Sequence, residues 1–142
     1  MRKLFIFSVL AVLLFVSCGK SLRTNNWISI CKSHNVKELN NYLATTNAEN
    51  ILNIYEELSK IEYKNDDGHI YFEDDGSYPA LLYMHFGLQY LEQNGDIDLS
   101  EEQKTRLKEI RNTADVMLLY PAMMKDVTFN KIVEEYKNLN YK

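Results

Sequence analysis

Apolar side chains recur along most of this chain at the three- and four-residue spacing of helices laid on a core. Ile51, Ile54, Tyr55, Leu58 and Ile61 form one such stripe, with Glu56, Glu57 and Lys60 turned the other way. Upstream, a helix over roughly 25–33 precedes a second that Asn35 caps, with Glu38 three residues on and Val36, Leu39, Tyr42 and Leu43 facing inward. Thr46 with Glu49 repeats that capping pattern before the Ile51 stripe. Residues 80–91 are apolar nearly all round, which predicts a helix in the middle of the molecule. Pro79 suits its first turn, with Ser77 just upstream. Gly87 marks a close crossing by a neighbour, and Asn94-Gly95 ends the helix. Ser100 with Gln103 opens a further helix bearing Leu107, Ile110, Ala114, Met117 and Leu118, as far as a break near Pro121. A last one carries Phe129, Ile132, Val133, Tyr136 and Leu139, with Thr128 as its cap.

The helical pattern lapses once, from Asn65-Asp66-Asp67-Gly68 to Asp74-Asp75-Gly76, around a short extended stretch at 69–73. The expected fold is therefore all-α, a compact bundle of five or six helices with a short β-hairpin or loop arm at 65–78. No repeat or low-complexity stretch divides it.

The first eighteen residues follow different rules. Arg2 and Lys3 are basic, and Leu4–Val16 then runs for 13 residues without a charge. That is short of the roughly 20 that a spanning helix needs, and it suits the apolar region of an export signal. Phe15-Val16-Ser17-Cys18 closes the run. This stretch resembles the lipobox of bacterial lipoproteins, with Phe15 where that family usually has Leu. The resemblance implies that residues 1–17 are a cleaved signal peptide, that Cys18 carries diacylglycerol on its sulfur, and that the new amino terminus is often acylated as well. Two or three acyl chains exceed the marginal hold of one. Residues 18–24 are then a lipidated Cys with a short polar tether, and 25–142 a single α-helical domain. The expected location is the bacterial cell envelope. Gly19 stands where lipoproteins kept on an inner membrane tend to have Asp, which favours an outer membrane where there is one.

Charge narrows the partners. Without Arg2 and Lys3 the chain has 14 basic and 20 acidic residues, a balance of −6. Such a surface does not suit nucleic acid, nor does it add attraction to anionic lipid. Once Cys18 is lipidated, Cys31 is the sole thiol, so no intrachain disulfide is expected. Its neighbours Trp27, Ile28 and Ile30 suggest a small buried role.

Few residues suggest chemistry. His34, His69 and His85 lack metal-binding spacing, and neither a nucleophile elbow nor a phosphate-cradling loop is present. No cofactor and no catalytic or metal-ligating residue is expected. Around Gly95, the residues Asn94, Ile97, Asp98 and Glu101 match EF-hand positions, but Tyr90 occupies the place of the first ligand. The acids Asp66, Asp67, Glu73, Asp74 and Asp75 are most simply a solvated turn. The alternatives are calcium or a basic protein partner, for which Tyr71, Phe72 and Tyr78 among those acids supply aromatic anchors. The function expected is a lipid-anchored binding module: an assembly factor, inhibitor, immunity factor or adhesin. The rival classes are an envelope hydrolase joining His69 or His85 to the 66–75 carboxylates, and a calcium-stabilised module.

Overall fold

The apolar stretch at 80–91 becomes the axis around which the other helices assemble. The computed structural model describes residues 20–33, 35–66, 69–72 and 75–139. In chain order these form α1 (Leu22–Ser33), α2 (Val36–Thr45), α3 (Ala48–Leu58), β1 (Tyr63–Asp66), β2 (His69–Phe72), α4 (Ser77–Asn94), α5 (Glu101–Met123) and α6 (Val127–Leu139). Helix α4 packs against α1, α2, α3 and α6, while α5 lies along α3 and touches α6. The expected all-α bundle is what forms.

Burial of most of α4 follows from its composition. Ala80, Leu81, Leu82, Met84, Leu88 and Leu91 are all buried, Tyr83, Phe86 and Tyr90 are half-buried, and only Gln89 and the last turn at Gln93 and Asn94 are exposed. From α1, Trp27 is completely enclosed; its Nε1 donates to the Ala80 carbonyl at 3.0 Å and its ring stacks on Tyr42 of α2. A side chain that large contributes roughly 3–5 kcal/mol relative to alanine. That is a large part of the roughly 5–15 kcal/mol that holds a small domain folded.

The arm is an antiparallel hairpin whose register pairs Tyr63 with Phe72 and Asp66 with His69. Its strands lie at 63–66 and 69–72, so the arm starts two residues before the expected 65–78 span, and the end of that span belongs to α4. Ser77 opens α4 two residues before Pro79, at the helix start the pattern indicates. Gly76 precedes that helix at φ 84°, and a Cβ there would sit 2.7 Å from Lys32 Cε and 2.9 Å from Ile28 Cγ2.

Several helix ends differ in detail from expectation. Asn35 caps α2 by accepting from the Glu38 N–H, and Ser100 with Gln103 forms a reciprocal capping box on α5. For α3, however, the cap is Asn47, which accepts from the N–H groups of Glu49 and Asn50, whereas the Thr46 hydroxyl turns back to the Tyr42 carbonyl. Asp126 rather than Thr128 accepts the Phe129 N–H at the start of α6. Helix α5 continues past Pro121 to Met123, since a proline one turn from the end sacrifices only one ladder bond. The chain then turns through Lys125 at φ 53°, a left-handed position that glycine usually fills, with the Asp126 N–H bonded to the Pro121 carbonyl at 3.0 Å. Tyr90–Asn94 belong to α4 and Glu101 to α5, so the EF-hand-like spacing does not form a loop.

Gly87 is the close crossing that the pattern predicted. A Cβ on it would lie 2.8 Å from Leu43 Cδ1 and 3.1 Å from Tyr136 Oη. Leu43 is fully buried, and the Tyr136 hydroxyl is committed to the Tyr83 carbonyl, so neither gives way freely. On helix propensity alone Gly87→Ala would gain up to about 1 kcal/mol, but overpacking costs roughly 1–3 kcal/mol. The expected outcome in urea denaturation is a net loss of about 1 kcal/mol. A stabilised variant would show that α2 and α6 do not press on this face.

Candidate functional site

Two groups of polar residues stand out, and they lie in different parts of the bundle. The first surrounds His85 in the middle of α4. Its Nδ1 meets the Tyr55 hydroxyl of α3, and its Nε2 lies 3.2 Å from Asp115 Oδ1 of α5. A neutral imidazole satisfies both contacts if Tyr55 donates to Nδ1 and the Nε2–H donates to Asp115. Arg111, one turn before Asp115, binds Glu92 at 2.6 Å.

Burial dominates the protonation of this line. It pushes the His85 pKa below the ordinary 6.5; Asp115 opposes that shift and Arg111 reinforces it. Burial also pushes the Tyr55 hydroxyl well above the usual tyrosine range, against the pull of Arg111. A Tyr-His-Asp line resembles a proton relay, yet relay chemistry needs substrate at one end. Tyr55 is 0% exposed and His85 6%, so only Asp115 faces water. Surface grooves of about 540 to 640 Å³ lie elsewhere, one along Lys37, Asn40, Tyr90 and Asp96, another beside Ile30 and Tyr42, and a third beside Lys32, Tyr83 and Glu135. The arrangement satisfies polar groups inside an apolar helix packing. Nothing in the spacing of Tyr55, His85 and Asp115 announces their meeting. The nearest signal is Arg111 and Asp115, placed i,i+4 beside the inner stripe of α5.

The second group lies where the described chain begins. Glu57 of α3 accepts from the Ser21 N–H at 2.6 Å, from the Ser21 hydroxyl at 2.9 Å and from the Thr24 hydroxyl at 2.8 Å. A carboxylate from a neighbouring helix thus terminates α1, where the helix dipole also favours negative charge. Lys20 reaches Asp75 at 2.9 Å. Burial would raise the Asp75 pKa, but hydrogen bonds from Lys20 and Ser77 outweigh it and bring it down to about 2. Residues 20–24, within the expected short polar tether, are hydrogen-bonded to the bundle through Lys20, Ser21 and Thr24.

The acidic arm looks different in three dimensions. Phe72 and Tyr78 come together, stacked at 4.0 Å and 8°. Tyr78 is only 6% exposed and donates its hydroxyl to Asp126 at 3.0 Å, so it is core rather than an exposed anchor. Its aromatic face serves to seat the hairpin. Asp75 is held by Lys20 and Ser77. Asp66 and Tyr71 take strand positions, and nothing is described of their side chains; Asp67, Glu73 and Asp74 lie outside the described residues, as do Cys18 and His34. His85 stands eight residues into α4, about 12 Å along the helix from its start, and is not joined to Asp75.

Cys31 is buried, and burial pushes its thiol well above the usual range, as expected of a structural residue. Among the described residues no three of His, Cys, Asp and Glu gather to hold a metal ion, and no helix is long and apolar enough to cross a membrane. No family model matches the chain, and neither curated proteins nor solved structures yield a match.

The buried imidazole has a measurable consequence. As pH falls through about 6.5, His85 takes up a proton in the unfolded chain while the folded chain resists it. Stability is therefore full above that value and declines as pH drops towards the lowered pKa. Wild type should lose melting temperature between pH 7.5 and 5.5 more steeply than His85→Gln. Parallel curves would contradict the assignment.

Proposed function

We propose that this protein is a bacterial envelope lipoprotein, anchored through Cys18, whose helical bundle acts by binding a protein partner. One observation carries the reading. The sequence places a lipobox Cys two residues before Lys20, and Lys20 through Thr24 are clamped to the bundle by Asp75 and Glu57. Two residues span at most about 7 Å, so lipid on Cys18 holds the folded domain against the membrane surface rather than on a long leash.

The hairpin is the element that suits a partner. Its two strands pair only with each other among the described residues, leaving outer edges of the kind that accept an added strand. Its sequence brings Asp66, Asp67, Glu73 and Asp74 to one short segment, which favours a basic partner. Tyr78 supports the arm through its stack with Phe72. The enclosed Tyr55–His85–Asp115 line offers no comparable surface.

Growth with labelled palmitate followed by crosslinking and affinity capture tests both halves. Wild type should carry label and recover one protein, Cys18→Ser should lose the label, and Asp66→Asn/Asp67→Asn/Glu73→Gln/Asp74→Asn should keep the label and lose the protein. Unlabelled wild type would refute the anchor. A labelled protein that captures nothing specific, or whose capture ignores the arm, would refute the binding role assigned to it.

A further inference from the structure

Six large apolar side chains are well exposed among the described residues: Leu22, Val116, Leu119, Met123, Met124 and Val127, from 58% to 82%. They are not scattered. Val116, Leu119 and Met123 recur at i, i+3 and i+7 on α5, which makes them one face of its last two turns. Met124 and Val127 flank the α5–α6 turn, and Leu22 opens α1.

Hydrogen bonds place the α5–α6 turn and the start of α1 at the same end of the bundle. Asp126, in the turn, binds the hydroxyl of Tyr78 in the first turn of α4. Asp75, just before α4, binds Lys20, just before α1. Glu57, in the last turn of α3, holds Ser21 and Thr24. This is the end from which the chain leads back to Cys18.

Resting on the lipid anchor proposed above, we infer that this end is a second membrane contact, with Met123, Met124, Val127 and Leu22 seated in the interfacial layer of the bilayer that holds the Cys18 acyl chains. The short link decides the occupant. With at most about 7 Å of chain between Cys18 and Lys20, and Lys20 clamped, the apolar end cannot stand far from the lipid. Apolar side chains gain about 25 cal/mol per Å² on leaving water, and an amphipathic surface typically sinks about 5–10 Å into the headgroup boundary. The charges at the helix ends agree with that placement. Asp75, Asp126 and Glu57 are turned to partners within the fold, whereas Arg23 and Lys125, each next in the chain to an exposed apolar residue, are exposed and long enough to reach phosphates. Leu119 and Val116, one and two turns above Met123, mark how the bundle leans.

The contact also orients the molecule. It turns Ser100 and the start of α5 away from the membrane, some 33 Å along that helix.

Depth-dependent quenching on the full, lipidated chain tests this. The protein is isolated from cell membranes, weighed to confirm the added diacylglycerol, labelled at Met124→Cys or Val127→Cys, and placed in phosphatidylethanolamine–phosphatidylglycerol vesicles with or without brominated acyl chains. Cys31 is buried, its thiol held protonated, and does not compete for label. Glu102→Cys, exposed at the far end of α5, is the reference. Brominated lipid should quench the labels at 124 and 127 about twofold or more and leave the label at 102 unchanged. Equal quenching at all three positions, on protein that carries the lipid, would overturn the membrane contact and leave the anchor standing. Blue-shifted but unquenched labels at 124 and 127 would overturn it in favour of a protein or a second copy of this chain covering the patch. A mass without diacylglycerol would remove the anchor and the inference together.

Discussion

The rest of this molecule answers to one constraint, a central helix that is apolar around most of its girth. Because α4 presents apolar residues around most of its circumference, it must be packed by α1, α2, α3 and α6 before the chain gains from folding. Packing fixes the details. Gly87 lets α2 and α6 approach, Trp27 fills the space beside Ala80, and Tyr55 and Tyr136, buried on neighbouring helices, turn their hydroxyls onto α4. His85 follows the same logic. A polar ring on an enclosed helix needs partners from its neighbours, and Tyr55 and Asp115 provide them.

The same constraint organises the end of the bundle where α1 and α4 begin. The start of α4 is where the hairpin returns, where Tyr78 seats Phe72, and where Asp75 and Asp126 tie in the beginning of the chain and the α5–α6 turn. A domain whose first residues are clamped in this way transmits the position of its amino terminus to the whole bundle. For a protein anchored at Cys18, that makes orientation a property of the fold rather than of the tether. In the proposed anchoring, the hairpin lies beside the end that would face the membrane.

Much of the fold could be read from residue pattern, and the reasons are physical. Stripes such as Ile51, Ile54, Tyr55 and Leu58 report burial directly, and Gly95 and the Ser100–Gln103 pair report helix ends because few other residues satisfy those backbone groups. Caps were less legible where two candidates stood side by side. Asn47 prevails over Thr46, and Asp126 over Thr128, because only tertiary placement decides which oxygen faces the free N–H groups. Pro121 suggested a break, but its position in the final turn made it cheap to carry. The surface was hardest to read. Tyr78 lies among acids in the sequence yet is buried, since the hairpin folds over it, and the exposed face of Val116, Leu119 and Met123 shares a helix with a buried stripe only a few residues away. The line of Tyr55, His85 and Asp115 draws on three helices, a kind of proximity that no local spacing encodes.

The claim on which the account turns is that the chain is clamped from its first described residues onward. Amide hydrogen exchange resolved by residue tests it directly. The account predicts that amides of α1 in its second turn, from Asn26 onward, are protected to nearly the same free energy as those of α4, because Glu57 closes the end of the helix and Trp27 binds it to the core. If α1 instead exchanges through local fraying, with protection confined to α4 and its other neighbours, the amino terminus is a leash after all and the account of orientation fails.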